Sequence, residues 1–467
     1  MSSLVYRITL LLGRLVQSVP VGTNVGLLHL IWMLFSGRLL SSRGAVIPGL
    51  ADWGLSPSAV RRSEAALAYG RWETASLLAS WQALVREEGQ WQAHSYEGYQ
   101  PVACDLVGFY RPRLKGCPTK HYASPAGKAL PALSFGLLAS VGSVNGRRLP
   151  LPRGIVRSDP EDPRESRLME LTLRKAKASL GAREILVCDR GFPLALLQSV
   201  GIDPYVVRVP QNFTARRAVL PPYKGRGRRP EYGEIVRPLA RIHNGKEIPA
   251  TPPDRVETWR EGNLFLRAEV FEGLVRSDEK AQKSGEAQKS GEAQKSGEAQ
   301  KSGEAQKSGE VTFRCVVIHD PRYAHPLVLC APLKVSSSAL RSLYRDRWPI
   351  EGLPLAAKQM IGAARQFVSA VESCQRLPEL SLIAGAILSY VAATEKPIPT
   401  GAWDRSPQPT SGRLRRALSQ VHFSDLPPLG GKLREKRSIT DHLPKGILAH
   451  RRQKPGTDPL VIQPSAT

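Results

Sequence analysis

The stretch LYRDRWPIEGLPLAAKQ, residues 343–359, mixes carboxylates and cations with a Trp and a Tyr on an otherwise apolar frame. Wound as a helix at 100° per residue, Tyr344, Arg347, Glu351 and Lys358 return to within roughly 60° of one another. The spacing therefore predicts one face that carries a carboxylate flanked by donors. A surface helix with spaced ion pairs would show the same face, so the rest of the chain has to decide between decoration and chemistry.

The chain has 467 residues, enough for two or three domains. Its 66 Lys and Arg against 41 Asp and Glu leave a net charge of +25. Such a surplus attracts polyanions, and nucleic acid is the commonest, because each neutralised phosphate releases condensed counterions. The longest apolar run, VGLLHLIWMLF at 25–35, is shorter than the ~20 residues of a membrane span and contains His29. It reads as a buried helix, and no membrane partner is expected. The N-terminal stretch carries Arg7 and Arg14 among its apolar residues and no small-residue cleavage site. Six cysteines are scattered without a C-x-x-C pair, which argues against a zinc site or a disulfide framework. A cytoplasmic, nucleoid-associated protein is the expectation.

Five segments follow from the pattern. Residues 1–95 read as a helical, candidate DNA-binding domain, with apolar positions recurring at three and four. Within it GLSPSAVRR, 54–62, offers Ser56 as N-cap, Pro57 at the first helical position and Val60 inward, which leaves Arg61 and Arg62 for phosphates or bases. An ordinary helical hairpin fits the same residues. Residues 96–212 alternate short apolar runs with helical patterns, the mark of a mixed α/β layer. Residues 213–335 read as an inserted, mostly β subdomain, interrupted at 281–310 by five copies of AQKSGE. With Ala as the only apolar group and a Gly in each copy, that array is expected to be disordered and not a solenoid. Residues 336–395 return to the α/β part with the opening stretch, and 396–467 form a basic, Pro-rich extension.

Two further carboxylates stand on apolar runs: Asp105 after PVAC, and Asp189 after EILVC and before Arg190-Gly191-Phe192. Each alone could merely begin a turn. With Glu351 they make the set that two-metal phosphodiester chemistry needs, carboxylates that hold two Mg2+ ions about 4 Å apart. The cations around Glu351 would then hold a phosphate chain in line.

These residues resemble an insertion-sequence transposase of the DDE class. The signature Y-x2-R-x3-E-x6-K of that family is matched by Tyr344, Arg347, Glu351 and Lys358, with Trp348 and Ile350 in the usual surroundings, and the Asp-x-Gly-aromatic block by Asp189-Arg190-Gly191-Phe192. Asp105 is assigned as the first acid by position. The resemblance implies a ribonuclease H-like mixed sheet flanked by helices, interrupted by a β insertion. It implies Asp105, Asp189 and Glu351 as catalytic metal ligands for two Mg2+ ions, with Mn2+ as a substitute. Tyr344, Arg347 and Lys358 would grip DNA beside the scissile phosphate. The implied activity is cleavage of transposon ends and joining of the 3′-OH to target DNA, with double-stranded DNA, terminal inverted repeats and target, as partner and a homodimer in the synaptic complex. A DNA-binding relic without catalysis, or a nuclease without strand transfer, are the competing readings, and Pro354 just past Glu351 speaks for the relic. YKGRGRRPEYG, 223–233, offers Arg226 and Arg228 to a minor groove, or is a solvated basic turn. Trp259 is expected to pack within the β subdomain, with base stacking as the alternative. Cys104 and Cys188 are expected as small buried strand residues.

Overall fold

The computed structural model describes residues 2–115, 117–223, 233–275, 312–429 and 433. The AQKSGE array and the loop with Arg226 and Arg228 lie outside the described residues, as does the chain beyond 429 apart from Leu433. The described chain is mixed α/β, a mixed sheet flanked by helices. It divides into two compact units: Met1–His94, Asp105–Thr172 and Pro349–Thr467 in unit one, Ser95–Cys104 and Leu173–Trp348 in unit two. The chain passes between units within a strand, within the helix Glu165–Ser179, and within the opening stretch itself.

Unit one holds the N-terminal helices Ser2–Leu15, Thr23–Phe35, Arg38–Ser41, Val46–Asp52, Pro57–Tyr69 and Thr74–Glu88. Ser56 caps the helix Pro57–Tyr69, its Oγ accepting the Ala59 N–H at 3.3 Å, and Pro57 fills the first position where no N–H is needed. The helix Thr23–Phe35 is apolar all round and buried from Asn24 to Phe35. It packs on Pro57–Tyr69 and on the 24-residue helix Val371–Thr394. Gly26 sets the first of these contacts, since a Cβ there would lie 2.6 Å from the Ala66 Cβ. Val371–Thr394 has the length and mean hydropathy (1.5) of a membrane span, but 89% of its apolar window is buried inside the protein.

Strand β1 (Gln100–Tyr110) contributes to both units. In unit one β2 (Lys128–Val144) is hydrogen-bonded to β1, and β3 (Arg147–Arg157) pairs antiparallel with β2. The turn between β2 and β3 is Asn145-Gly146, with φ of 50° and 74°, the two positive values a tight hairpin requires. In unit two the first half of β1 pairs in parallel with β4 (Glu184–Cys188), from Gln100↔Glu184 to Ala103↔Val187. In turn, β4 pairs in parallel with β5 (Tyr205–Arg208). These parallel strands are unbroken apolar runs, as burial on both faces demands, and Cys104 and Cys188 are fully buried among them. An antiparallel run follows: β6 (Arg255–Glu261), β7 (Leu264–Val275), β8 (Phe313–His319) and β9 (Leu327–Ala331), the last pairing with β5. Val187, Val206, Val270, Val316 and Leu340 make the centre of the unit-two core, with Trp259 packed against it.

Candidate functional site

The opening stretch is not one helix. Ser336 caps the helix Ser337–Arg345 by accepting the Ala339 N–H at 3.1 Å, and the helix ends with Asp346 as its C-cap. A 3₁₀ turn (Trp348–Glu351), a single α-turn (Gly352–Leu355) and a π-turn (Ala356–Met360) follow. Two prolines explain the break. A continued helix would drive the Pro349 ring into the Arg345 carbonyl and leave that carbonyl without a donor, and Pro354 would do the same to Ile350. The expected single face on one helix is therefore corrected: Tyr344 lies in the helix, Arg347 in the turn after it, Glu351 in the 3₁₀ turn and Lys358 in the π-turn.

Their surroundings differ accordingly. Tyr344 is 3% exposed in the last helical turn and belongs to the unit-two core. Arg347 is 5% exposed, its guanidinium 5.2 Å from the centre of the Trp348 ring. Asp346 between them is fully buried and accepts the Tyr96 hydroxyl at 2.9 Å, a tie that sequence reasoning missed. Glu351 is exposed at the end of the 3₁₀ turn. Lys358 is half-buried in the π-turn, its ammonium 5.3 Å from the Phe109 ring centre and 5.9 Å from that of Tyr110. Burial holds the Lys358 ammonium below the ordinary lysine range, and the Asp105 carboxylate opposes that shift.

Asp105 lies within β1, half-buried, its Oδ1 accepting the Leu106 N–H at 2.9 Å. Asp105, Lys358 and Glu351 all belong to unit one, and the structure brings Asp105 and Lys358 into electrostatic contact. Asp189 belongs to unit two, directly after β4. Its Oδ1 accepts the Gly191 N–H at 2.8 Å, a local turn in which a Cβ at 191 would stand 2.9 Å from that oxygen. Among the described residues no group of three or more His, Cys, Asp or Glu is arranged to hold a metal ion. Arg61 is exposed and Arg62 half-buried on the helix Pro57–Tyr69.

A different feature of unit two has the makings of a binding site. A hollow of about 370 Å3 is lined by Arg208, Arg322, Tyr323, Arg341, Tyr344 and Trp348, among others. Arg341 is neutralised by two acids, of which Asp320 also lines the hollow: its Nη1 donates to both carboxylate oxygens of Glu261 at 2.5 and 2.6 Å, its Nη2 to Asp320 Oδ2 at 2.6 Å. Arg322 adds two bonds to Asp320, at 2.9 and 2.7 Å. Those bonds from Arg322, then from Arg341, hold the Asp320 carboxyl well below the usual carboxylate range. Arg208 remains exposed on β5, Arg345 touches Glu261 at 3.3 Å, and Trp348 is 56% exposed at the rim. Into this lining the buried Tyr344 hydroxyl brings a polar group without a hydrogen-bond partner among the described residues. A buried hydroxyl in that condition costs stability unless a water or a ligand satisfies it. The hollow thus combines arginines, two of them paired with Asp320 in the same lining, with the rings of Tyr323, Tyr344 and Trp348. Sequence reasoning missed Arg208, Arg322, Tyr323, Arg341 and Arg345. The local signal for part of the set was the step of four from Arg341 to Arg345, on the same helix that carries Tyr344.

Compared with known proteins, the chain matches no protein-family model and no curated protein.

Proposed function

We propose that the protein is a DNA transposase of the DDE class built on a ribonuclease H-like core. The observation that carries the reading is the way β1 to β5 connect. β2 is added to β1 and β3 to β2, β4 is then added in parallel to β1, and β5 in parallel to β4, with helices before and after β4. A mixed sheet flanked by helices is what the resemblance implies, and Asp105 lies on its first strand and Asp189 directly after its fourth. The signature spacing of Tyr344, Arg347, Glu351 and Lys358, the net charge of +25, and the arginine-lined hollow beside Tyr344 support DNA as the substrate.

Within that reading Tyr344 and the hollow's arginines hold a nucleotide and its phosphate, and Lys358 opposes a phosphate beside Asp105. The resemblance supplies the roles of the acids and of Mg2+. The test combines a salt titration of duplex binding with a cleavage and strand-transfer assay in Mg2+ on DNA that carries the ends flanking the gene. Nicked ends and joined products are expected. Nicking without joining would identify a nuclease instead. Salt-sensitive binding without nicking would favour the DNA-binding relic, for which the two proline-broken turns around Glu351 already speak.

A further inference from the structure

Unit two also presents a sheet face that neither its core nor the hollow beside Tyr344 uses. The register sets it. Thr258, Arg267 and His319 are partners across β6, β7 and β8, and Arg260 faces Phe265 across β6 and β7, so their side chains stand on one side of the sheet. The alternate residues Leu266, Ala268, Val270 and Ile318 are buried in the core on the other side. On the outward side Phe265 is 59% exposed, and the Arg267 and His319 side chains 49% and 39%. Glu269 is the acid of this face, 2.8 Å from Arg267 and 3.7 Å from His319, and it leaves the cations in excess.

A second hollow, of about 340 Å3, opens on this face between Phe265, Arg267, His319 and Tyr323. It shares Asp320, Tyr323, Ala324 and Pro326 with the hollow beside Tyr344. On its far side that hollow shares Arg208, His325 and Pro326 with a third, of about 460 Å3, which Arg190, Gln211 and Asn212 also line. The three make one continuous track in unit two. Arginines stand along it, Arg190 and Arg208 at one end, Arg322, Arg341 and Arg345 in the middle, and Arg267 at the other, where Asp320 also lines it, and it carries exposed rings at Phe265, at Tyr323 (67% exposed) and at Trp348.

We propose that the face around Phe265 is a platform for unpaired DNA, with bases stacked on Phe265 and Tyr323 and the phosphate chain held by Arg260 and Arg267. Cationic side chains beside exposed rings match a single strand, which offers bare base faces as well as phosphates, whereas a duplex hides its base faces in the stack. The inference rests on DNA being the substrate and adds which form of it this face takes.

The full-length protein is titrated against a labelled dT oligonucleotide of about 16 nucleotides and against a duplex of the same length, read by fluorescence anisotropy. Phe265→Ala is expected to weaken oligonucleotide binding about tenfold, a common cost of losing one stacked base, with duplex binding unchanged. Phe265→Trp restores the affinity. Phe265 is outside the core, so the alanine variant keeps the parental melting temperature. Oligonucleotide binding unchanged by Phe265→Ala, or equal losses on both DNAs, overturns the proposal. A parental protein that binds duplex but not the oligonucleotide sinks the platform alone. One that binds neither sinks the transposase reading and the platform with it.

Discussion

Glu351 and Lys358 belong to different turns, and their substitutions separate chemistry from grip. Glu351 is exposed, so Glu351→Gln leaves stability within about 0.5 kcal/mol. If Glu351 is the third acid, Mg2+-dependent nicking is lost while duplex binding holds or tightens, one negative charge having left a phosphate-binding surface. A parental nicking rate would show the signature to be decoration. Lys358→Ala is expected to lower duplex affinity and reduce the log-log salt slope by about 0.9, the share of one phosphate. An unchanged slope would assign Lys358 to packing over Phe109 and Tyr110 alone. Asp320 gives a pH prediction. A carboxyl whose folded pKa lies below its unfolded value of about 3.9 contributes stability that is fully present above that value and lost as pH falls toward the folded one. Urea midpoints should therefore drop on acidification below about pH 4, and Asp320→Asn should flatten that drop. At neutral pH the same substitution should cost about 3 kcal/mol, because Arg341 stays buried with one partner fewer. A variant as stable as the parent would show that Glu261 alone neutralises Arg341.

Elements were legible where the cause is local. The start of the helix Pro57–Tyr69 follows from Ser56 and Pro57, and EILVC and DPYVVRV read as strands because burial on both faces needs unbroken apolar runs. The opening stretch failed as a helix for an equally local reason, two prolines whose combined effect a count of angles ignores. The hollow beside Tyr344 was illegible for a different reason. Its residues come from β5, from the loop after β8 and from the helix Ser337–Arg345, and only the pairing of β9 with both β5 and β8 gathers them. Helix packing is testable at the same scale. Gly26→Ala puts a methyl into the Ala66 side chain, and overpacking of this kind costs about 1–3 kcal/mol. A melting temperature equal to the parent's would mean that the helices Thr23–Phe35 and Pro57–Tyr69 part without cost.

At the scale of the molecule, the threading of the chain sets a timetable for its synthesis. The helix Thr23–Phe35 leaves the ribosome early, yet one wall of its burial, Val371–Thr394, is made some 336 residues later, from 35 to 371. At about 5–20 residues per second that is a wait of roughly 20–70 s. During it an all-apolar helix is covered by its near neighbours Arg38–Ser41, Val46–Asp52 and Pro57–Tyr69 without that wall. Unit two closes sooner, its last residue being Trp348. A chain stopped after Trp348 should therefore partition into the insoluble fraction or stay bound to a chaperone, and supplying residues 349–429 as a separate chain should recover part of it. A soluble, monomeric truncated chain would show that the early helices need no such wall. For a nascent chain, unit one is thus begun before unit two and finished after it.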